Sequence, residues 1–69
     1  MYKNVLEHKT VKIIGQYGIV RTREQYYFDD GKRFGREQVM YDVCLEDGEG
    51  DIVESFDNIK EARKWAKEN

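Results

Sequence analysis

The chain contains no proline, one cysteine and one histidine among its 69 residues. Without proline, it has neither a proline-rich linker nor a cis-proline turn. Cys44 alone cannot close a disulfide within the chain, and one Cys with one His cannot supply the four ligands of a structural zinc site. Small secreted domains usually depend on disulfides, so we expect a cytoplasmic protein with no metal and no other cofactor.

Long apolar runs are also missing. No segment approaches the roughly 20 apolar residues that a membrane-spanning helix needs, and residues 1–10 lack the apolar stretch of a signal peptide. Aromatic residues, by contrast, make up 13% of the chain, whereas disordered chains contain few of them. The length predicts a single domain, residues 1–69, with a small core. Homodimerisation is one way to compensate for so small a core, and we expect no membrane partner.

Charge is unevenly distributed along the chain, although the net charge is only −2. Residues 1–37 carry eight Lys or Arg and five acids, whereas residues 38–69 carry four Lys or Arg and nine acids. The segment 42–57 contains seven acids and no base. Such asymmetry concerns partners and electrostatic fields rather than the fold.

The strand pattern predicts an antiparallel meander over residues 11–56. Residues 1–10 show no clean period and either fray or add an edge strand. Val11–Ile14 and Ile19–Phe28 are rich in β-branched and aromatic residues, with a turn or bulge at 15–18 between them. A turn follows at 29–32, and we expect 34–36 to extend it.

The strand predicted most clearly is Gln38–Glu46. Its side chains alternate, with Val39, Tyr41, Val43 and Leu45 on one face and Met40, Asp42, Cys44 and Glu46 on the other. A turn at 47–50 leads into a return strand, 52–56.

A capped helix is predicted over residues 58–67. Asn58 is placed to accept from a free amide of the first turn, and Glu61 gives the spacing of a capping box. Ile59, Ala62, Trp65 and Ala66 share one face. Together these elements predict an α+β fold, a three- to four-stranded antiparallel β-meander with one C-terminal α-helix packed on one face.

The residues that could carry catalysis are few, and we expect no enzyme. His8 has no Cys or Ser in a recognisable relation to it. Cys44 lies beside Asp42 and Glu46, whose carboxylates disfavour a reactive thiolate.

Two surfaces remain as candidate binding sites. The acidic one suits another protein with a basic surface, either steering its association or imitating a nucleic-acid backbone. Its residues are Asp42, Glu46, Asp47, Glu49, Asp51 and Glu54. The alternative is nucleic-acid binding, because Arg interleaved with aromatic residues suits single strands and grooves. Its residues are Arg21, Arg23, Tyr27, Lys32, Arg33 and Arg36. The simplest interpretation of both surfaces is that their charged side chains keep the protein solvated and protect the edges of the sheet.

The stretch Tyr41 to Ala66, with Gly48, Gly50, Phe56 and Trp65, resembles the amino-terminal arm-binding domain of tyrosine recombinases. That resemblance implies a three-stranded sheet with a C-terminal helix, whose sheet lies in the DNA major groove. The acidic hairpin departs from this pattern, since phosphate binding needs Lys or Arg. By composition alone the chain is similar to small phage-encoded inhibitors. The acidic hairpin and the Tyr-rich strands favour a non-enzymatic module that binds another protein, since Tyr is enriched at interfaces. A phage or mobile-element regulator or inhibitor is one concrete version of it.

Overall fold

The computed structural model describes all residues, 1–69. It contains four strands, β1 (Tyr2–Ile14), β2 (Tyr17–Tyr27), β3 (Arg33–Cys44) and β4 (Ile52–Phe56), followed by the helix α1 (Ile59–Glu68). The strands form one antiparallel sheet in the order β1-β2-β3-β4. The α+β meander with one C-terminal helix is thus confirmed. No helix in the structure is long and apolar enough to cross a membrane.

The helix begins and packs as its sequence dictates. Asn58 is its N-cap, and the Asn58 side-chain oxygen accepts a hydrogen bond of 2.9 Å from the backbone amide of Glu61. Ala62 and Ala66 are buried, and the Trp65 ring meets the Tyr17 ring edge-on at 5.3 Å between centroids. A helix of ten residues is marginal alone, so this contact with the sheet stabilises it.

The core lies at one end of the sheet. Its fully buried side chains on the helix side are Ile19 and Val43, which face each other across β2 and β3. Tyr41, Leu45 and Phe56 pack around them. We call this side of the sheet the helix face and the opposite side the open face.

Beyond the core the sheet continues as an extension, which we call the arm and define as residues 2–9 and 21–40. No member of the core cluster lies in it. The Cα extents are 44 × 20 × 16 Å and the radius of gyration is 13.6 Å, against about 11 Å for a compact chain of this length. Residues 10–20 and 41–69 we call the body.

Of the two alternatives for residues 1–10, the structure shows the edge strand: β1 begins at Tyr2, lies at one edge of the sheet and pairs with β2 along its length. Two other features differ from the sequence-based expectations. The expected loop at 34–36 is wrong: these residues belong to β3, where extra residues around Gly35 bulge opposite Gln25. The predicted turn at 47–50 is a wider loop, residues 45–51, with a 3₁₀ turn at Glu46–Gly48.

Candidate partner-binding surfaces

The loop 45–51 does not project into solvent but folds over the open face of the body. The reason is Gly18, where an added Cβ would lie only 2.3 Å from the carbonyl carbon of Asp47 and the nitrogen of Gly48. Backbone therefore packs directly on backbone, and only glycine permits this approach. Gly48 in turn lies against the side chains of Thr10 and Val20.

Internal hydrogen bonds also hold this loop in one shape. The Leu45 carbonyl accepts from the amides of Gly48, at 3.1 Å, and Gly50, at 2.8 Å. Glu46 and Asp47 have positive φ values of 54° and 58°, a region that non-glycine residues adopt rarely. The loop is therefore fixed before any partner arrives, which lowers the entropic cost of binding.

The structure brings together five of the six residues of the predicted acidic site. Glu46, Asp47, Glu49 and Asp51 lie in the loop, all exposed. Asp42 lies on the same open face, since it pairs with Val20. Glu54 is separated from them, because it pairs with Val43, whose side chain belongs to the helix face.

The acidic residues of the two halves of the chain differ in how many form salt bridges. Four of the five acids in residues 1–37 form salt bridges, whereas none of the nine acids in residues 38–69 does. The carboxylates of the loop therefore have no cation within the molecule to neutralise them. Their field extends into solvent over roughly a Debye length, about 8–10 Å at physiological salt.

Exposed apolar residues flank the acidic loop. Ile13 and Ile52 are 55% and 58% exposed. Both lie on the open face in one row across the sheet, Ile13–Gly18–Cys44–Ile52. The loop backbone covers Gly18 in the middle of this row. The acidic loop therefore lies between two exposed apolar side chains, and protein interfaces combine apolar contacts with a polar rim.

The structure separates the predicted basic site into two parts. Arg21 and Arg23 are paired within the sheet: Arg21 Nε donates to Glu7 at 2.5 Å, and Arg23 Nε donates to Glu37. These hydrogen bonds raise the pKa of both guanidinium groups, so each arginine stays charged but is already partnered. Lys32, Arg33 and Arg36 are exposed and form no salt bridge.

Two of these free cations line an open groove on the helix face of the arm, about 380 Å³ in volume. Besides Arg33 and Arg36, Tyr27, Gln25 and Leu6 line it. The ring of Tyr27 stacks on the ring of Tyr2, with 5.3 Å between centroids and 16° between planes. We call this groove the arm groove. The basic and aromatic pattern of the sequence predicts the two arginines and Tyr27 at this site, but not Tyr2, Leu6 or Gln25.

Gln25 shapes the arm groove. The residue is only 3% exposed, and its Nε2 donates to the Gly35 carbonyl at 3.1 Å and lies 3.4 Å from the Phe34 carbonyl. It therefore satisfies carbonyl groups that the bulge of β3 leaves unpaired. Gly35 itself has a φ of +72°, which suits glycine. A buried Gln in an aromatic strand, opposite a glycine, is the sequence signal that could have identified this bulge.

The side chains of His8, Thr22, Asp42 and Ser55 form a hydrogen-bonded chain across all four strands of the open face. Ser55 donates to Asp42 at 2.7 Å, and Thr22 donates its one proton to Asp42 at 3.4 Å. Thr22 therefore accepts from His8 Nδ1, 3.1 Å away. The two hydroxyl protons point toward Asp42 and away from His8, so His8 is not placed to accept a proton from either hydroxyl.

Cys44 is buried on the open face, beside Gly18. Burial, and secondarily the charge of Asp42, raise the pKa of its thiol. A raised pKa reduces the thiolate fraction on which reactivity depends. No cluster of three or more His, Cys, Asp or Glu residues is arranged to hold a metal ion.

The geometry thus offers two exposed surfaces of opposite charge, one at the body and one at the arm. Comparison with known proteins adds no relative, because no protein-family model, no curated protein and no solved structure matches this chain. The resemblance of residues 41–66 to recombinase arm-binding domains stays a prediction. Function is therefore inferred from the two surfaces themselves.

Proposed function

We propose that this protein is a non-enzymatic binding module that holds another protein by the open face of its body. The observation that carries the proposal is the exposed pair Ile13 and Ile52, flanking a fixed loop of unpaired carboxylates. Exposed apolar residues bordered by charge favour a protein partner. The partner would present an apolar patch with Lys or Arg around it, because the charges in the loop are all negative.

Each part of this surface has its own physical role. The isoleucines lose exposed apolar surface on binding, which supplies affinity at about 25 cal/mol per Å². The loop carboxylates raise the association rate and select against acidic partners. A regulator or inhibitor encoded by a phage or mobile element is one concrete form of such a module.

Matched charge reversals test the proposal. Glu46→Lys with Glu49→Lys changes the net charge of the loop by four units. Glu61→Lys with Glu68→Lys makes the same change on the exposed side of the helix, away from the loop. The three proteins are tagged, and the proteins that each captures from cells are identified by mass spectrometry.

We expect a partner that the wild type and the helix variant retain and that the loop variant loses. Binding of that purified partner should weaken as salt rises, and it should also weaken in Ile13→Ser with Ile52→Ser. Circular dichroism should first show that both variants are folded. If the loop variant and the helix variant then capture the same proteins, the proposed surface is refuted.

A further inference from the structure

The arm groove carries an inference that goes beyond the proposed function and uses a different surface. We propose that this groove binds single-stranded nucleic acid, with a base on the Tyr27–Tyr2 stack and phosphates at Arg33 and Arg36. The observations behind it are a groove lined by Tyr27 and two unpaired guanidinium groups, and the ring of Tyr2 stacked on Tyr27 beside that groove.

Of the four arginines in the arm, only two are free of salt bridges and so available to bind phosphate. Arg21 and Arg23 are neutralised by Glu7 and Glu37, so they offer no net attraction to a phosphate. Arg33 and Arg36 have no carboxylate partner, and a free guanidinium suits phosphate because it donates two parallel hydrogen bonds. The groove also contains Glu37, but its charge is already balanced by Arg23.

The bulge of β3 explains how two arginines three residues apart reach one groove. In a regular strand, residues 33 and 36 would point to opposite faces. The extra residues around Gly35 break this alternation, and the buried Gln25 side chain fixes the bulge by bonding to its carbonyl groups. Bulges commonly redirect side chains beside functional sites.

The aromatic pair favours a single strand over a duplex. A base can stack only when its face is free, and the bases of a duplex already stack on each other. Tyr2 is about half exposed, so its ring offers a face to such a base. Stacking of this kind is tolerant of sequence. We therefore expect little preference among bases.

The charge of the whole molecule confines a strand to the arm. The arm carries seven Lys or Arg and five acids, and the body carries five and nine. A phosphate backbone is attracted to one end of the 44 Å long molecule and repelled by the other. The site is therefore short, a few nucleotides, and leaves the acidic loop free.

Fluorescence anisotropy with the purified full chain tests the inference. The probe is a fluorescein-labelled oligothymidine of about 12 nucleotides, within the range that one small domain covers. Oligouridine of the same length distinguishes RNA from DNA as the source of the strand. A DNA duplex and a polyglutamate peptide of similar length are the two competitors.

Two pairs of variants isolate the groups involved. Arg33→Ala with Arg36→Ala should weaken binding about tenfold or more at low salt. For two phosphate contacts, the logarithm of the association constant should fall with the logarithm of salt concentration at a slope of about −1.4, and this variant should lose most of that dependence. Arg63→Ala with Lys64→Ala removes the same charge from the helix and should leave the affinity within about twofold.

Tyr2→Leu keeps apolar volume but removes the exposed stacking face, and should weaken binding about 5- to 150-fold. Tyr26→Leu is its matched control, since Tyr26 lies on the opposite face of the sheet and should leave binding unchanged. No binding of either oligonucleotide at low salt would overturn the inference. So would equal binding of the duplex, or displacement of the strand by polyglutamate, which would assign the groove to an acidic protein instead.

Discussion

Replacement of Gly18 by alanine should displace the acidic loop. The new Cβ would lie 2.3 Å from two backbone atoms of the loop and 2.4 Å from the Asp47 carbonyl oxygen. Backbone cannot move aside as a flexible side chain does, so either the loop or β2 must shift. Overpacking of this kind costs about 1–3 kcal/mol.

A shifted loop also uncovers what lies under it. Val20 is only 2% exposed and packs against Gly48, and burial of a valine stabilises a fold by about 1.5–3 kcal/mol. Losing part of this burial brings the total destabilisation to about 2–4 kcal/mol. For a domain of this size, that corresponds to a fall in Tm of roughly 10–25 °C.

Thermal melts and the alkylation rate of Cys44 measure the two consequences. Cys44 is buried beside Gly18 and its thiol pKa is raised, so iodoacetamide at pH 8 should react slowly with the wild type and faster with Gly18→Ala. Gly15→Ala is the comparison, because its positive φ costs about 1–2 kcal/mol but no atom lies within 4 Å of the added Cβ. An unchanged Tm together with an unchanged alkylation rate in Gly18→Ala would refute the packing of the loop on β2.

Further predictions concern the arm and the helix. Gln25→Ala should cost about 1–3 kcal/mol and speed amide exchange in the β3 bulge, whereas Gln38→Ala, at an exposed position, should do neither. Glu7 and Glu37 have pKa values lowered by hydrogen bonds from their arginine partners. Their contribution to stability is therefore present above the unfolded pKa of about 4.3 and is lost as the pH falls further. In thermal melts recorded over a series of pH values, the Tm of the wild type should fall more steeply with acidification than the Tm of Glu7→Gln with Glu37→Gln. Parallel curves of Tm against pH would contradict this. Trp65→Ala should cost about 3 kcal/mol in urea unfolding, the low end for a large aromatic residue, because Trp65 is half-buried; no loss would refute the packing of the helix.

Sequence patterns predicted the fold well where one face of an element is buried. The alternation in 38–46 places Tyr41, Val43 and Leu45 toward the helix, and these residues pack in or against the core. Asn58 caps the helix as its spacing indicates. Both signals are local, because side-chain periodicity and a cap depend on residues a few positions apart.

The binding surfaces were less predictable, because they depend on contacts distant in sequence. Nothing near Asp47 indicates that its backbone packs on Gly18, about thirty residues earlier. Likewise, Arg21 and Arg36 look equivalent in the sequence, and only the pairing of β1 with β2 places Glu7 beside Arg21. Charge composition therefore indicated where charged side chains concentrate, and strand register decides which of them remain free of ion pairs.

Amide chemical shifts distinguish two separate surfaces that bind two kinds of partner from one shared surface. Uniformly ¹⁵N-labelled protein is titrated first with a short peptide of alternating Lys and Leu, and then with oligothymidine. We expect the peptide to shift amides of residues 42–52 and Ile13, and the oligonucleotide to shift amides around Leu6, Gln25–Tyr27 and Arg33–Glu37. Shifts at the same residues with both ligands, or shifts confined to the helix, would contradict this expectation.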